Sequence, residues 1–107
     1  MSSLHLKEQP TLKDFQEYVA TMVKERGFDT HPVPQLFMLM LEECGEFAKA
    51  ARKQSKLKVD AASEDFHTGQ EAADVLIYLL DICNRLGVDL EASFREKEEI
   101  NKKRTWS

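Results

Sequence analysis

Two short acidic pairs carry the chemistry in this sequence, Glu43-x-x-Glu46 and Glu71-x-x-Asp74. On an α-helix an i, i+3 spacing sets both members of a pair on one face. The first pair, with Glu42 beside it, interrupts the apolar run LFMLMLEECGEFAKA over residues 36–50. Glu42, Glu43 and Glu46 fall within an arc of roughly 100° on such a helix. Leu36, Leu39 and Ala50 lie on or beside that arc, so Glu43 faces partners rather than open water. Burying clustered carboxylates without a counter-charge costs several kcal/mol or makes them take up protons. A hard divalent cation meets that need. Four acids with no histidine among them suit Mg²⁺, with Mn²⁺ as a substitute, better than zinc or a di-iron centre.

Positioning these groups takes helices. Gly and Pro are few and runs of β-branched residues are absent, which indicates an all-α fold of four main helices. Thr11 and Asp14 make a capping-box-like start for a first helix reaching about Arg26, with Leu12, Phe15, Val19, Met22 and Val23 on one face and Gly27 as its stop. Two prolines make residues 28–34 a connector. The second helix is expected from about Val33 to Gln54. Its interior Gly45 implies close approach of a backbone or a ligand, or a tight helix–helix contact. Residues 53–65, polar and without period, read as a loop. The third helix is expected from about Phe66 to Leu86, ended by Gly87. Its polar stripe is Glu71, Asp74, Tyr78, Asp81 and Arg85, a seam on an otherwise apolar helix. Asp89 caps a fourth helix to about Lys103, with Lys97, Asn101 and Arg104 on one face and Trp106 following as an apolar anchor. If the second and third helices pack antiparallel, the four acids of the two pairs converge.

Composition bounds the function. The 107 residues are 42% hydrophobic and 32% charged, as in an ordinary globular domain, here 11–107 after a frayed leader at 1–10. The net charge of −4 argues against binding polymeric nucleic acid, which selects basic surfaces. Cys44 and Cys83 sit in apolar helical contexts without CxxC spacing, as free thiols in a reducing compartment do. No apolar run reaches a membrane span of about 18 residues, and the N-terminus has no signal-peptide core, so a cytoplasmic location without membrane contact is expected.

Taken singly, acidic pairs of this kind also occur on solvated helices. Together they resemble a known signature: Glu42-Glu43-x-x-Glu46, then 24 residues, then Glu71-x-x-Asp74, is similar to the EExxE…ExxD motif of the MazG-type all-α nucleoside triphosphate pyrophosphohydrolases. Asp74-Val-Leu-Ile-Tyr78 resembles the continuation of that motif, and Lys97-x-x-x-Asn101-x-x-Arg104 resembles the family's KxxxNxxR element. The resemblance covers about residues 11–106. It implies hydrolysis of (deoxy)nucleoside triphosphates to the monophosphate and pyrophosphate with Mg²⁺. It also implies a helical bundle completed by oligomerisation, either a homodimer or a homotetramer built as a dimer of dimers.

Carried across position by position, Glu43, Glu46, Glu71 and Asp74 match metal ligands. Glu42 matches an extra ligand or water-orienting base, and either Glu42 or Glu46 is a candidate proton acceptor. Lys97 and Arg104 match residues that meet phosphate, a role that suits Arg through bidentate bonding. Asn101 and Tyr78 match residues near the nucleoside. Phe28 and His31 correspond by approximate position to an aromatic residue and a histidine that hold the base in pyrimidine-preferring relatives. Phe28 is equally suited to stapling helices, and His31 to a plain surface position before proline. The rival readings are a non-catalytic interaction module whose acidic seam pairs with a basic partner, and a di-iron bundle, which lacks its ExxH motifs here.

Overall fold

The computed structural model describes residues 4–56 and 67–104. They form four helices and, among the described residues, no strand: α1 Leu12–Glu25, α2 Val33–Lys56, α3 Thr68–Leu86 and α4 Leu90–Lys102. The helix count and the all-α class match the reading of the sequence. Trp106, expected as an anchor, and most of the expected loop at 53–65 lie outside the described residues.

The helix ends follow local chemistry. The Thr11 hydroxyl accepts from the Asp14 N–H at 3.1 Å, and the Asp14 carboxylate accepts from the Thr11 N–H at 2.8 Å, a complete capping box. This bonding, chiefly that from the Thr11 backbone, lowers the pKa of Asp14. Gly27 (φ 75°) and Gly87 (φ 69°) end α1 and α3 in the left-handed conformation that glycine adopts without a Cβ penalty. Beyond each glycine one further N–H turns back to the helix, Phe28 to the Val23 carbonyl at 2.8 Å and Val88 to the Cys83 carbonyl at 2.9 Å. Asp89 caps α4 by accepting from the Ala92 N–H at 3.1 Å.

The helices group into two compact units. One is built from α1, the end of α3 from Leu80 onward, and α4. Its core joins Val19, Met22, Val23 and Leu80, with Leu4, Leu12, Phe15, Tyr18 and Leu90 packed against it. Residues 4–10, read from the sequence as leader, thus include Leu4 beside the core, and Lys7 places its ammonium 3.3 Å from Asp14. Gln16 is the part of this unit that periodicity misses. It is buried on α1, donates through Nε2 to the Val88 carbonyl at 2.6 Å and accepts through Oε1 from the Leu90 N–H at 3.1 Å, while Asn84 donates to its backbone carbonyl at 3.0 Å. One amide thereby satisfies both polar groups of the α3–α4 turn that face it. Asp81, expected on the polar seam of α3, is buried here with Arg85 3.8 Å away in an i, i+4 pair.

The other unit is His31–Leu79, which holds α2 and most of α3. Leu36 and Ala50 are its buried apolar residues among those described. By contrast Phe37, Met38 and Leu41, on one stripe of α2, are 43%, 65% and 64% exposed. Gly45 is exposed, and a Cβ built there would meet nothing within 4 Å, so neither a backbone nor another helix approaches it closely among the described residues.

Candidate metal centre

The acidic residues meet inside the His31–Leu79 unit. Glu43 comes from the middle of α2, while Glu71 and Asp74 come from the first two turns of α3. One carboxylate oxygen from each of the three lies within 4.8 Å of the other two. Glu43 and Glu71 are half-buried and Asp74 is exposed. The i, i+3 spacing of Glu71 and Asp74 accounts for their shared face. Glu43 joins them because α2 and α3 bring that face and its own together, which no local rule dictates.

Three like charges this close raise one another's proton affinity. The pKa of Glu43 is raised from its ordinary value of 4.5, first by partial burial and then by Asp74, Glu71, Glu46 and Glu42 in turn. Among the described residues, the charged neighbours that act on it are all acids. The donor set fits a hard cation: it is made of carboxylate oxygens alone and converges from two helices. Glu43, Glu71 and Asp74 are the residues that would hold Mg²⁺, a cation that takes carboxylate oxygens, and one oxygen from each already lies within 4.8 Å of the others.

Glu42 and Glu46 are exposed on α2 and stand outside this trio, although both charges are felt at Glu43. His31 and Tyr78 belong to the same unit and are half-buried. Gln54 and Thr68, which carry no signal in the sequence, also lie in it. The Thr68 hydroxyl donates to the Gln54 side-chain carbonyl at 2.6 Å, joining the end of α2 to the start of α3. Finding them requires knowing which side chains meet where the end of α2 approaches the start of α3.

The remaining candidates belong to the other unit. Lys97 and Asn101 lie on α4, and Arg104 follows its end with its N–H donating to the Asn101 carbonyl at 3.1 Å. Lys97 and Asn101, four residues apart on α4, share one face, as expected, while Arg104 lies beyond the helix end, where helical spacing no longer sets its direction. Lys97 and Arg104 are exposed and Asn101 is half-buried. The Oδ1 atom of Asn101 is itself buried and accepts no hydrogen bond among the described residues. A buried acceptor in that condition is unusual and calls for a donor. Phe28 is 49% exposed, just past the glycine that ends α1.

No model of a known protein family matches the chain. Individual proteins do. The chain is similar to the dATP/dGTP diphosphohydrolase of Cyanophage S-2L, with 33% identity over 97 residues that cover 91% of this chain and 79% of the phage protein. It is also similar to dCTP pyrophosphatase 1 of Homo sapiens, 30% identical over 103 residues, and of Rattus norvegicus, 29% identical over 101 residues. Each of these matches covers 90% of this chain and 59% of the mammalian protein.

Proposed function

We propose, since this chain belongs to the MazG-type all-α nucleoside triphosphate pyrophosphohydrolase family, that it hydrolyses deoxynucleoside triphosphates to the monophosphate and pyrophosphate with Mg²⁺ in the cytoplasmic nucleotide pool. The observation that carries this reading is the convergence of Glu43, Glu71 and Asp74 from two helices. Solvated surface acids gain nothing by approaching one another, whereas a cation-binding set must.

In this reading Glu43, Glu71 and Asp74, joined by Glu46, hold the metal. When bound, Mg²⁺ neutralises charge on the triphosphate and polarises its phosphorus–oxygen bonds. The chain's own groups do the rest. Glu42 or Glu46, both exposed on α2, accepts a proton from the water that attacks the α-phosphorus, with pyrophosphate as the leaving group. Lys97 and Arg104 meet phosphate oxygens, and Arg104 can do so through two parallel N–H bonds. Asn101 offers its buried Oδ1 to a hydroxyl or amino donor of the nucleoside, which supports the role its position suggests. Tyr78, Phe28 and His31 are the candidates for the base.

The working form is an oligomer, a homodimer at least. Support comes from the stripe of Phe37, Met38 and Leu41, which a single chain leaves open to water although apolar residues grouped in this way mark association surfaces. The names of the relatives cover both purine and pyrimidine deoxynucleotides, so dATP, dGTP, dCTP and dTTP form the substrate set to test. With Mg²⁺ present, at least one of them is expected to yield pyrophosphate, and Glu71→Gln should abolish the release. A wild-type chain that turns over none of the four, nor any ribonucleotide, would end this reading.

A further inference from the structure

We infer that the hydrogen bond between Thr68 and Gln54 is a latch that sets the α2–α3 register on which cation binding depends, and that both are positioning residues for the acidic trio. The inference rests on the proposed function, because it takes the trio to be a cation site.

Three observations lead here. First, the trio is split between helices, with Glu43 on α2 and Glu71 and Asp74 on α3, so its geometry is no better defined than the spacing of the two helices. Mutual repulsion of the three carboxylates acts to push them apart in the absence of a cation. Second, the latch ties the same two helices by side chains, at 2.6 Å, between residues 14 apart in sequence. Third, its members stand on the faces that carry the acids. Thr68 precedes Glu71 by one turn, at i, i+3. Gln54 follows Glu43 by 11 residues, about three turns or 16 Å along α2, which returns it to nearly the same azimuth. Ala50, between them on that azimuth, is buried in the same unit. A small buried side chain followed by a cross-helix hydrogen bond defines a seam, and the acids lie along it.

Neither Thr68 nor Gln54 needs to touch the ion. Their contribution is to hold the two halves of the donor set at a spacing that the acids alone would not keep, so that less of the binding free energy goes into organising them. Such a role falls on affinity for the cation and not on the chemistry once it is bound.

The test measures binding of Mn²⁺ alone, by electron paramagnetic resonance of the free ion, in wild type, Gln54→Ala, Thr68→Val, Thr68→Ser and the Gln54→Ala/Thr68→Val double variant. The expected result is about 2- to 10-fold weaker binding in each single disruptive variant, the range of one neutral hydrogen bond. The double variant should be no weaker than the worse single one, because both remove the same bond. Thr68→Ser, which keeps the hydroxyl, should bind like wild type. Far-UV helicity in EDTA should be unchanged throughout, and activity lost at low Mg²⁺ should return at saturating Mg²⁺ with kcat intact. Wild-type Mn²⁺ affinity in both single variants would overturn the latch while leaving the cation site in place. Equal weakening by Thr68→Ser and Thr68→Val, or loss of helicity that accounts for the weakening, would also overturn it. Absence of Mn²⁺ binding by the wild type would remove the cation site, and the latch with it.

Discussion

Replacing Glu43 by Gln should stabilise the cation-free fold while destroying cation binding. The carboxylate oxygens of Glu43, Glu71 and Asp74 lie within 4.8 Å of one another. Two unit charges at that distance repel by about 0.9 kcal/mol in the dielectric of water, and by more in a less polar medium. Glu43 takes part in two such pairs. Asp74 is exposed and the side chains can rotate apart, so solvent screening and relaxation reduce the sum to about 0.5–1 kcal/mol. For a domain of this size that corresponds to a rise in Tm of roughly 2–8 °C in EDTA.

The sign can be followed with pH. The folded-state pKa of Glu43 is raised above 4.5. Protonated Glu43 therefore favours the fold, and its contribution is fully present below about pH 4.5 and disappears as pH rises through the raised value. The advantage of Glu43→Gln in EDTA should accordingly be small in acid and reach its full size at neutral pH. Thermal unfolding at several pH values, with EDTA and with millimolar Mg²⁺, measures all of this. Mg²⁺ should raise the Tm of the wild type and leave that of Glu43→Gln unchanged. A cation-free variant that melts below wild type at neutral pH would refute the argument, because Glu43 would then be held by favourable contacts.

Three further outcomes are expected from the contacts described above. Gln16→Leu leaves the Val88 carbonyl and the Leu90 N–H without their partners, and should destabilise the fold by about 1–3 kcal/mol in urea unfolding. Asn101→Ala removes a buried acceptor that has no donor in the described chain, so stability should hold or improve while KM for the nucleotide rises about tenfold in steady-state assays. Leu41→Glu places a charge on the open stripe of α2, and sedimentation should show a smaller species than wild type; an unchanged oligomer would mean that the stripe is not the association surface.

Residue types alone determined a good deal of this protein. Thr11 with Asp14, Asp89, Gly27 and Gly87 mark helix ends by bonding that is complete within a few residues, so they were legible without neighbours. The i, i+3 spacing equally fixed that Glu71 shares a face with Asp74, and the i, i+4 spacing that Lys97 shares one with Asn101. The motif that those spacings make was enough to indicate the family. Tertiary structure decided what depends on two helices at once. It drew Glu43 to Glu71 and Asp74 while leaving Glu46, its partner in the sequence pattern, outside the trio. It paired Asp81 of the expected seam with Arg85 in a buried setting, and buried the polar Gln16 where the α3–α4 turn needed its amide. It also brought Gln54, near the end of α2, to Thr68 at the start of α3. Periodicity fixes the azimuth of a side chain on its own helix, but the distance to a group on another helix depends on how the two axes approach, and that is set by packing throughout the domain.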